Sequence, residues 1–182
     1  MTAVGFPLAT PIGGGSSGGV IAGRLRTQDR LLWNDAGVYR ANWVDALSIL
    51  PKSDADRDAY LDWAVRKRFN GIRTFCGHLG WSRPEEQTLA LVYARLPGLM
   101  DAAQRRGLYV EPTLITGSAT GFDVPTHVSR CNAIIRAFQN PLVEMANEPY
   151  HGTQNEDVHS AAYLLSLRPL VDSKFAGALG AG

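Results

Sequence analysis

The chain has 182 residues, enough for one domain with a core, and 45% of them are hydrophobic, which is typical of soluble globular proteins. Its formal net charge of +1 supplies no field to attract nucleic acid. Its apolar runs are far shorter than the roughly 20 residues of a membrane-spanning helix. We therefore expect neither nucleic acid nor a membrane as a partner.

The amino-terminal stretch is rich in glycine and serine, as in "PIGGGSSGGVIAG" at residues 11–23. Such a segment has little to bury, so residues 1–30 are predicted to form a flexible arm. The first residues lack the charged start and continuous apolar run of a secretory signal. The sequence therefore assigns no compartment.

One pattern then recurs along the chain: an amphipathic helix, basic residues, a glycine or asparagine, and a run of β-forming residues. The recurring units begin near residues 37, 71, 107 and 141, at intervals of 34, 36 and 34 residues. Helices are predicted at about 55–68, 86–106, 124–139 and 155–168. Asp54 and Asn155 are candidate helix caps, and Pro125 suits a first helical turn.

The basic clusters and the cysteines have structural explanations. Cations at helix ends complement the helix dipole, which accounts for Arg66, Lys67, Arg68, Arg105 and Arg106. Cys76 and Cys131 lack the spacing of a zinc site or a disulfide framework and are interpreted as buried apolar residues. We expect no metal and no cofactor.

Strands that alternate with helices favour a parallel α/β sheet with helices outside it. Both an open doubly wound sheet and a closed barrel fit four such units. A dinucleotide-binding sheet needs its glycine fingerprint directly after a strand, whereas "GGGSSGG" follows none. The sequence thus favours a (β/α) barrel-type fold of about four βα units over residues 31–170, a half or truncated TIM barrel, with a tail at 171–182.

The segment "LVEMANEPYHG", residues 142–152, places polar groups where the fourth predicted strand leaves the core. Barrel enzymes carry their chemistry at this carboxyl end of the strands. Pro149 disfavours helix at Glu148, so we expect extended geometry to continue to that carboxylate. Strand alternation would then place Glu144 and Glu148 on one face and Asn147 on the other.

"EMANEP" at residues 144–149 resembles the fourth-strand motif of the clan A glycoside hydrolases, retaining enzymes on (β/α)8 barrels that include many cellulases and mannanases. "NGIRTF" at residues 70–75 resembles the second strand of that clan, whose arginine corresponds to Arg73. With the matching unit spacing, the resemblance covers about residues 37–168.

The resemblance implies roles for three residues. Glu148 would be the general acid/base, Asn147 would bind the 2-hydroxyl of the sugar, and Arg73 would position a neighbouring carboxylate. The alternatives are structural: Glu148 as a salt-bridged residue at a strand end, and Arg73 with Glu144 as an interior ion pair.

Sugar sites often add aromatic platforms and polar rim groups, here to hold an oligo- or polysaccharide. The candidates on the predicted catalytic side are Trp43, His78, Trp81, Tyr150 and His151. Each of them could instead serve only in packing.

The sequence departs from the family in lacking a second catalytic carboxylate. A retaining glycosidase needs a nucleophile about 5 Å from the acid/base, and in this clan it comes from the seventh strand. Glu111 is the only other strand carboxylate near this face. We expect an amino-terminal half that is inactive alone, and we favour an incomplete product. The alternatives are a half-barrel that self-associates through open sheet edges and a fold that is closed in some other way. The alternative function is a non-catalytic carbohydrate-binding or structural module.

Overall fold

The computed structural model describes residues 20–77, 87–116, 123–152, 154, 156–175 and 177–178. It begins with a small antiparallel sheet of three strands, β1 (Arg26–Gln28), β2 (Leu31–Asn34) and β3 (Gly37–Val38). Asp29 and Arg30 join β1 to β2 with φ values of 52° and 64°. A two-residue turn with both residues left-handed matches the twist of a hairpin.

This hairpin corrects two sequence predictions. The flexible arm was predicted for residues 1–30, yet residues 20–30 contain β1, and Leu25 is buried. Residues 1–19 of that arm lie outside the described residues. Gly37 was taken as the start of the first βα unit, yet it pairs with Asn34 of β2. Strand pairing with a preceding segment is not visible in a local pattern, which explains the error. The first parallel strand is β4 (Trp43–Asp45).

Within the described residues, the main sheet has five strands in the order of the chain: β4, β5 (Gly71–Phe75), β6 (Tyr109–Ile115), β7 (Val143–Ala146) and β8 (Gly177–Ala178). Every neighbouring pair is parallel. In the part of the chain that the structure describes, the α-helices that connect them are α1 (Asp54–Arg66), α2 (Leu89–Arg105), α3 (Val124–Ile135) and α4 (Ala161–Leu167). The predicted fold class, a parallel (β/α) barrel-type structure with four βα units, is confirmed.

The carboxyl-terminal segment is more than the tail predicted for residues 171–182. Val171 and Phe175 are buried in the main core. The backbone at 177–178 pairs with β7 as a fifth parallel strand. At the other edge, β4 has no neighbour on its outer side among the described residues. Self-association through sheet edges stays a prediction.

The helix starts follow capping chemistry. The Ser53 side chain accepts a hydrogen bond from the Asp56 amide, so Ser53 caps α1, one residue before the predicted Asp54. Asp123 caps α3, and Pro125 lies in its first turn as predicted. Ser160 caps α4, which is shorter than predicted because a separate 3-10 turn occupies 156–159. Asn155 lies outside the described residues.

Two apolar clusters hold the fold together. The larger one packs the outer face of the sheet against the helices and includes both cysteines, which are buried as predicted. The smaller one lies under the hairpin and contains Leu25, Tyr39, Trp43 and Tyr109. Within the described part of the chain, no helix combines the length and apolar character needed to cross a membrane.

Polar contacts fix the hairpin at the amino-terminal end of the parallel strands. The Tyr109 hydroxyl donates to the carbonyl of Gly23 at 2.8 Å, and the Trp43 indole N–H donates to the Tyr39 hydroxyl at 2.8 Å. A Cβ on Gly71 would lie 2.4 Å from the Trp43 ring, so this close approach requires glycine. The hairpin thus covers one end of the sheet and leaves the carboxyl-terminal edge on the opposite side.

Candidate active site

The candidate site is built on three neighbouring strands. Arg73 of β5 lies opposite Glu111 of β6, and Thr113 of β6 lies opposite Glu144 of β7. Residues two apart on a strand share a face, so these side chains line the concave side of the sheet.

Arg73 and Glu144 form a two-pronged ion pair on that face. The Arg73 Nε and Nη2 atoms donate to the two Glu144 carboxylate oxygens at 2.8 Å and 2.9 Å. The Thr113 hydroxyl donates to the same carboxylate. Glu144 is only 1% exposed, so these donors take the place of the water that would surround an exposed carboxylate. Removing one partner of such a buried pair leaves an uncompensated charge, which costs about 3–5 kcal/mol.

Arg73 also contacts Asn147. Its Nη2 atom donates to the Asn147 side-chain oxygen at 2.9 Å, while the Asn147 backbone N–H donates to Ile115 at 3.0 Å. The sequence placed Asn147 on the opposite face from Glu144. Instead one guanidinium holds both, because β7 ends at Ala146 and strand alternation stops there.

Glu148 is exposed and lies two residues beyond the end of β7. Its φ of +40° is left-handed, so the predicted extended conformation is wrong. Pro149 disfavours the right-handed helical region but does not enforce a strand. The His151 backbone N–H donates to the Glu148 carbonyl at 2.9 Å and closes a tight turn. A non-glycine residue in this region costs roughly 1–3 kcal/mol and persists where its surroundings hold it.

The predicted rim residues do not all meet here. Tyr150 is 72% exposed and His151 is exposed, and both directly follow Glu148. Trp43 instead begins β4 at the hairpin end, so its predicted place on the catalytic side is wrong. The error came from starting the first strand at Gly37, so that Trp43 was expected to follow that strand. His78 and Trp81 lie outside the described residues.

Glu111 is a carboxyl group on the concave face whose pKa is strongly raised. Burial, followed by the negative charges of Glu144 and Asp45, raises the pKa of Glu111 to about 7, while Arg73 acts in the opposite direction. Asp45, Arg73 and Glu111 stand at one level across β4, β5 and β6. One guanidinium therefore shares this face with three carboxyl groups, which favours the neutral form of Glu111 near pH 7.

Sequence reasoning missed two residues of this arrangement. Thr113 reaches the Glu144 carboxylate from the neighbouring strand, and the Gln154 side-chain amide donates to the Asn147 carbonyl. The register between β6 and β7 would have revealed Thr113, but nothing in the local sequence marks Gln154. Among the described residues, no group of three or more His, Cys, Asp or Glu side chains is arranged to hold a metal ion.

Neither a protein-family model nor a curated protein sequence matches the chain. Solved structures do. A Bacteroides vulgatus protein provisionally described as a glycoside hydrolase matches 86% of the chain with a TM-score of 0.70 and 12% identity. The catalytic domain of a mannanase from Streptomyces sp. SirexAA-E matches 97% of it with a TM-score of 0.57 and 12% identity. The cellulase Cel5C_n matches 92% with a TM-score of 0.63 and 11% identity.

The chain matches only part of each of those proteins. The chain spans 38% of the Bacteroides vulgatus chain and 54% of the mannanase and cellulase chains. Other structures of this fold include a glycoside hydrolase of family 5. Identities this low establish the fold alone. The resemblance to the barrel of the clan A glycoside hydrolases, seen first in two sequence motifs, is confirmed at the level of the fold.

Proposed function

We propose that this chain is the part of a retaining glycoside hydrolase that contributes the first four βα units and the general acid/base, Glu148. The observation that carries the proposal is the position of Glu148 beside Asn147 at the carboxyl-terminal edge of a glycosidase-like sheet. This edge is where barrel enzymes place their reacting groups.

In this mechanism Glu148 acts twice. It first donates a proton to the glycosidic oxygen, so that the C–O bond breaks while a carboxylate nucleophile bonds to the anomeric carbon. It then removes a proton from the water that hydrolyses the glycosyl-enzyme ester. The exposed position of Glu148, just beyond the end of β7, suits contact with a substrate oxygen.

The contacts of Asn147 support a substrate-binding role. Because arginine can only donate, its bond to Asn147 must end on the amide oxygen. The Asn147 amide nitrogen is therefore the group left to donate to a sugar hydroxyl. The buried Glu144 in turn fixes the guanidinium, so Arg73 and Glu144 act by orienting Asn147.

The nucleophile is proposed to come from a part of the barrel beyond these units. Glu144 is bound by Arg73 and Thr113 and is 1% exposed. Glu111 lies one level deeper, opposite Arg73. Neither stands at the carboxyl-terminal edge, where barrel enzymes place their reacting groups.

Substrates are proposed to be oligo- or polysaccharides, because a mannanase and a cellulase share this fold. The test compares aryl β-mannosides and β-glucosides with the chain alone and with the chain extended by four further βα units from the mannanase. We expect turnover in the extended protein, lost in Glu148→Gln with substrate binding retained. Glu156→Gln, the same substitution at an exposed residue of the following 3-10 turn, serves as the control.

Binding without turnover in the extended protein would contradict the proposal. That outcome would favour a non-catalytic carbohydrate-binding module.

A further inference from the structure

Gln154 stands apart from the other residues that follow Glu148 because it is buried. It is 7% exposed, whereas Tyr150 is 72% exposed. Its side-chain Nε2 donates to the carbonyl of Asn147, and its backbone N–H donates to the carbonyl of His151 at 2.9 Å. Gln154 therefore closes the loop that starts at the candidate catalytic pair.

The Asn147 carbonyl is a critical group for the geometry of Glu148. It belongs to the peptide plane that joins Asn147 to Glu148. The φ angle of Glu148 is the rotation about its N–Cα bond, so it sets how the substituents of the Glu148 Cα are turned relative to that plane. Because a peptide is planar, a bond that holds its carbonyl also holds its N–H. The orientation of this one plane thus controls where the Glu148 side chain points.

Other contacts among the described residues fix the groups on each side of this plane. Arg73 holds the Asn147 side chain, and Ile115 accepts from the Asn147 backbone N–H. On the far side, the His151 N–H holds the Glu148 carbonyl. Of the hydrogen bonds described, the one from Gln154 is made to the connecting peptide itself.

The glutamine is also not fully satisfied where it lies. Its Oε1 is buried without a hydrogen-bond partner among the described residues. A buried polar atom without a partner costs stability, so packing alone would favour an apolar side chain of the same length. What glutamine offers over such an apolar side chain is its amide N–H donor.

We propose that Gln154 is a positioning residue that holds the peptide between Asn147 and Glu148 and thereby keeps Glu148 left-handed, with its carboxyl directed at the scissile bond. The catalytic part of this inference rests on the proposed function of Glu148. The structural part, control of φ at Glu148 by the Gln154 amide, stands independently.

The structural part is tested on the 182-residue chain by NMR. The three-bond coupling between the amide proton and Hα of Glu148 reports its φ. Gln154→Met keeps the side-chain length without the donor, and we expect the coupling to move away from the value for φ near +40°. Gln104→Met is the matched control, since Gln104 also bonds a backbone group, the Gln139 N–H, but on another part of the fold. Gln154→Glu, which lacks the donor at the same size, replaces the methionine variant if that variant does not fold.

An unchanged coupling in the Gln154 variant would overturn the inference, whether or not the protein shows turnover. The catalytic part is tested in the extended protein with aryl glycosides of differing leaving groups. Cleavage of substrates with poor leaving groups depends most on protonation by the acid. We therefore expect the Gln154 substitution to lower kcat at least about tenfold more for poor leaving groups than for good ones. Equal losses across the series would indicate a merely structural role and would refute the positioning of Glu148. Absence of turnover in the unsubstituted extended protein would count against the proposed function and leave the coupling to decide the inference.

Discussion

Replacing Glu111 by glutamine should change how the stability of the protein depends on pH. The pKa of Glu111 is raised from its ordinary value of 4.5 to about 7, chiefly by burial and then by the charge of Glu144. The folded protein therefore holds the proton more tightly than the unfolded chain does. The stabilising contribution is full below about pH 4.5 and is lost as the pH rises to about 7.

The size of the effect follows from the interval between the two pKa values. Each pH unit corresponds to about 1.4 kcal/mol, so the upper limit is about 3.4 kcal/mol. Glu111 is only partly buried, and solvent screening reduces this to about 1–2 kcal/mol. Glutamine is neutral at every pH and has the same size, so it removes this dependence with little change in packing.

The assay is urea denaturation of the chain and of Glu111→Gln at several values between pH 4.5 and pH 8. We expect the free energy of unfolding of the variant, relative to the unsubstituted chain, to rise by about 1–2 kcal/mol across that range. Glu156→Gln, the same substitution at an exposed carboxyl, is measured in parallel as the control. A difference in unfolding free energy that stays constant with pH for Glu111→Gln would refute the reasoning. A difference that falls as the pH rises would show that the effect has the opposite sign.

Three further substitutions test the structure by urea denaturation. Arg73→Met should cost about 3–5 kcal/mol, because it leaves the buried Glu144 carboxylate without its cation. Gly71→Ala should cost about 1–3 kcal/mol, since the new methyl would lie 2.4 Å from the Trp43 ring. Ser53→Ala should cost about 1 kcal/mol through loss of the α1 cap.

Each of these substitutions has a matched control. Arg95→Met removes an exposed ion pair with Asp54 and should cost under about 1 kcal/mol. Gly152→Ala adds a methyl with no atom within 4 Å. Ser129→Ala lies at an exposed position inside α3, where alanine is the better helix former. Losses in the controls equal to those in the test variants would contradict the contacts assigned here.

The order of strands and helices could be predicted from the sequence because it rests on local patterns. Amphipathic helices capped by short polar side chains and followed by β-rich runs recur at regular intervals, and β5, β6 and β7 begin within two residues of three predicted starts. The first unit was misplaced because Gly37 pairs with β2, a contact between two segments that local periodicity does not report. Trp43 was therefore assigned to the wrong end of the sheet.

The details of the site depended on contacts between distant residues. The motif around Glu148 located the end of β7, but the left-handed conformation of Glu148 involves the turn closed by His151 and the amide of Gln154. The contact of Asn147 with Arg73 joins the residue that follows β7 to β5, across the intervening strand β6. Such geometry depends on which distant residues the fold brings together, and local sequence patterns do not show this.

The central claim is that Glu148 transfers protons at a glycosidic bond, and azide tests it most directly. In the extended protein, Glu148→Ala should form the glycosyl-enzyme from a substrate with a good leaving group but hydrolyse it slowly, because no base activates water. Azide needs no such base, so it should restore turnover and yield a glycosyl azide with retained anomeric configuration. A rate and product unchanged by azide, in a variant that still binds and cleaves the substrate, would contradict the account.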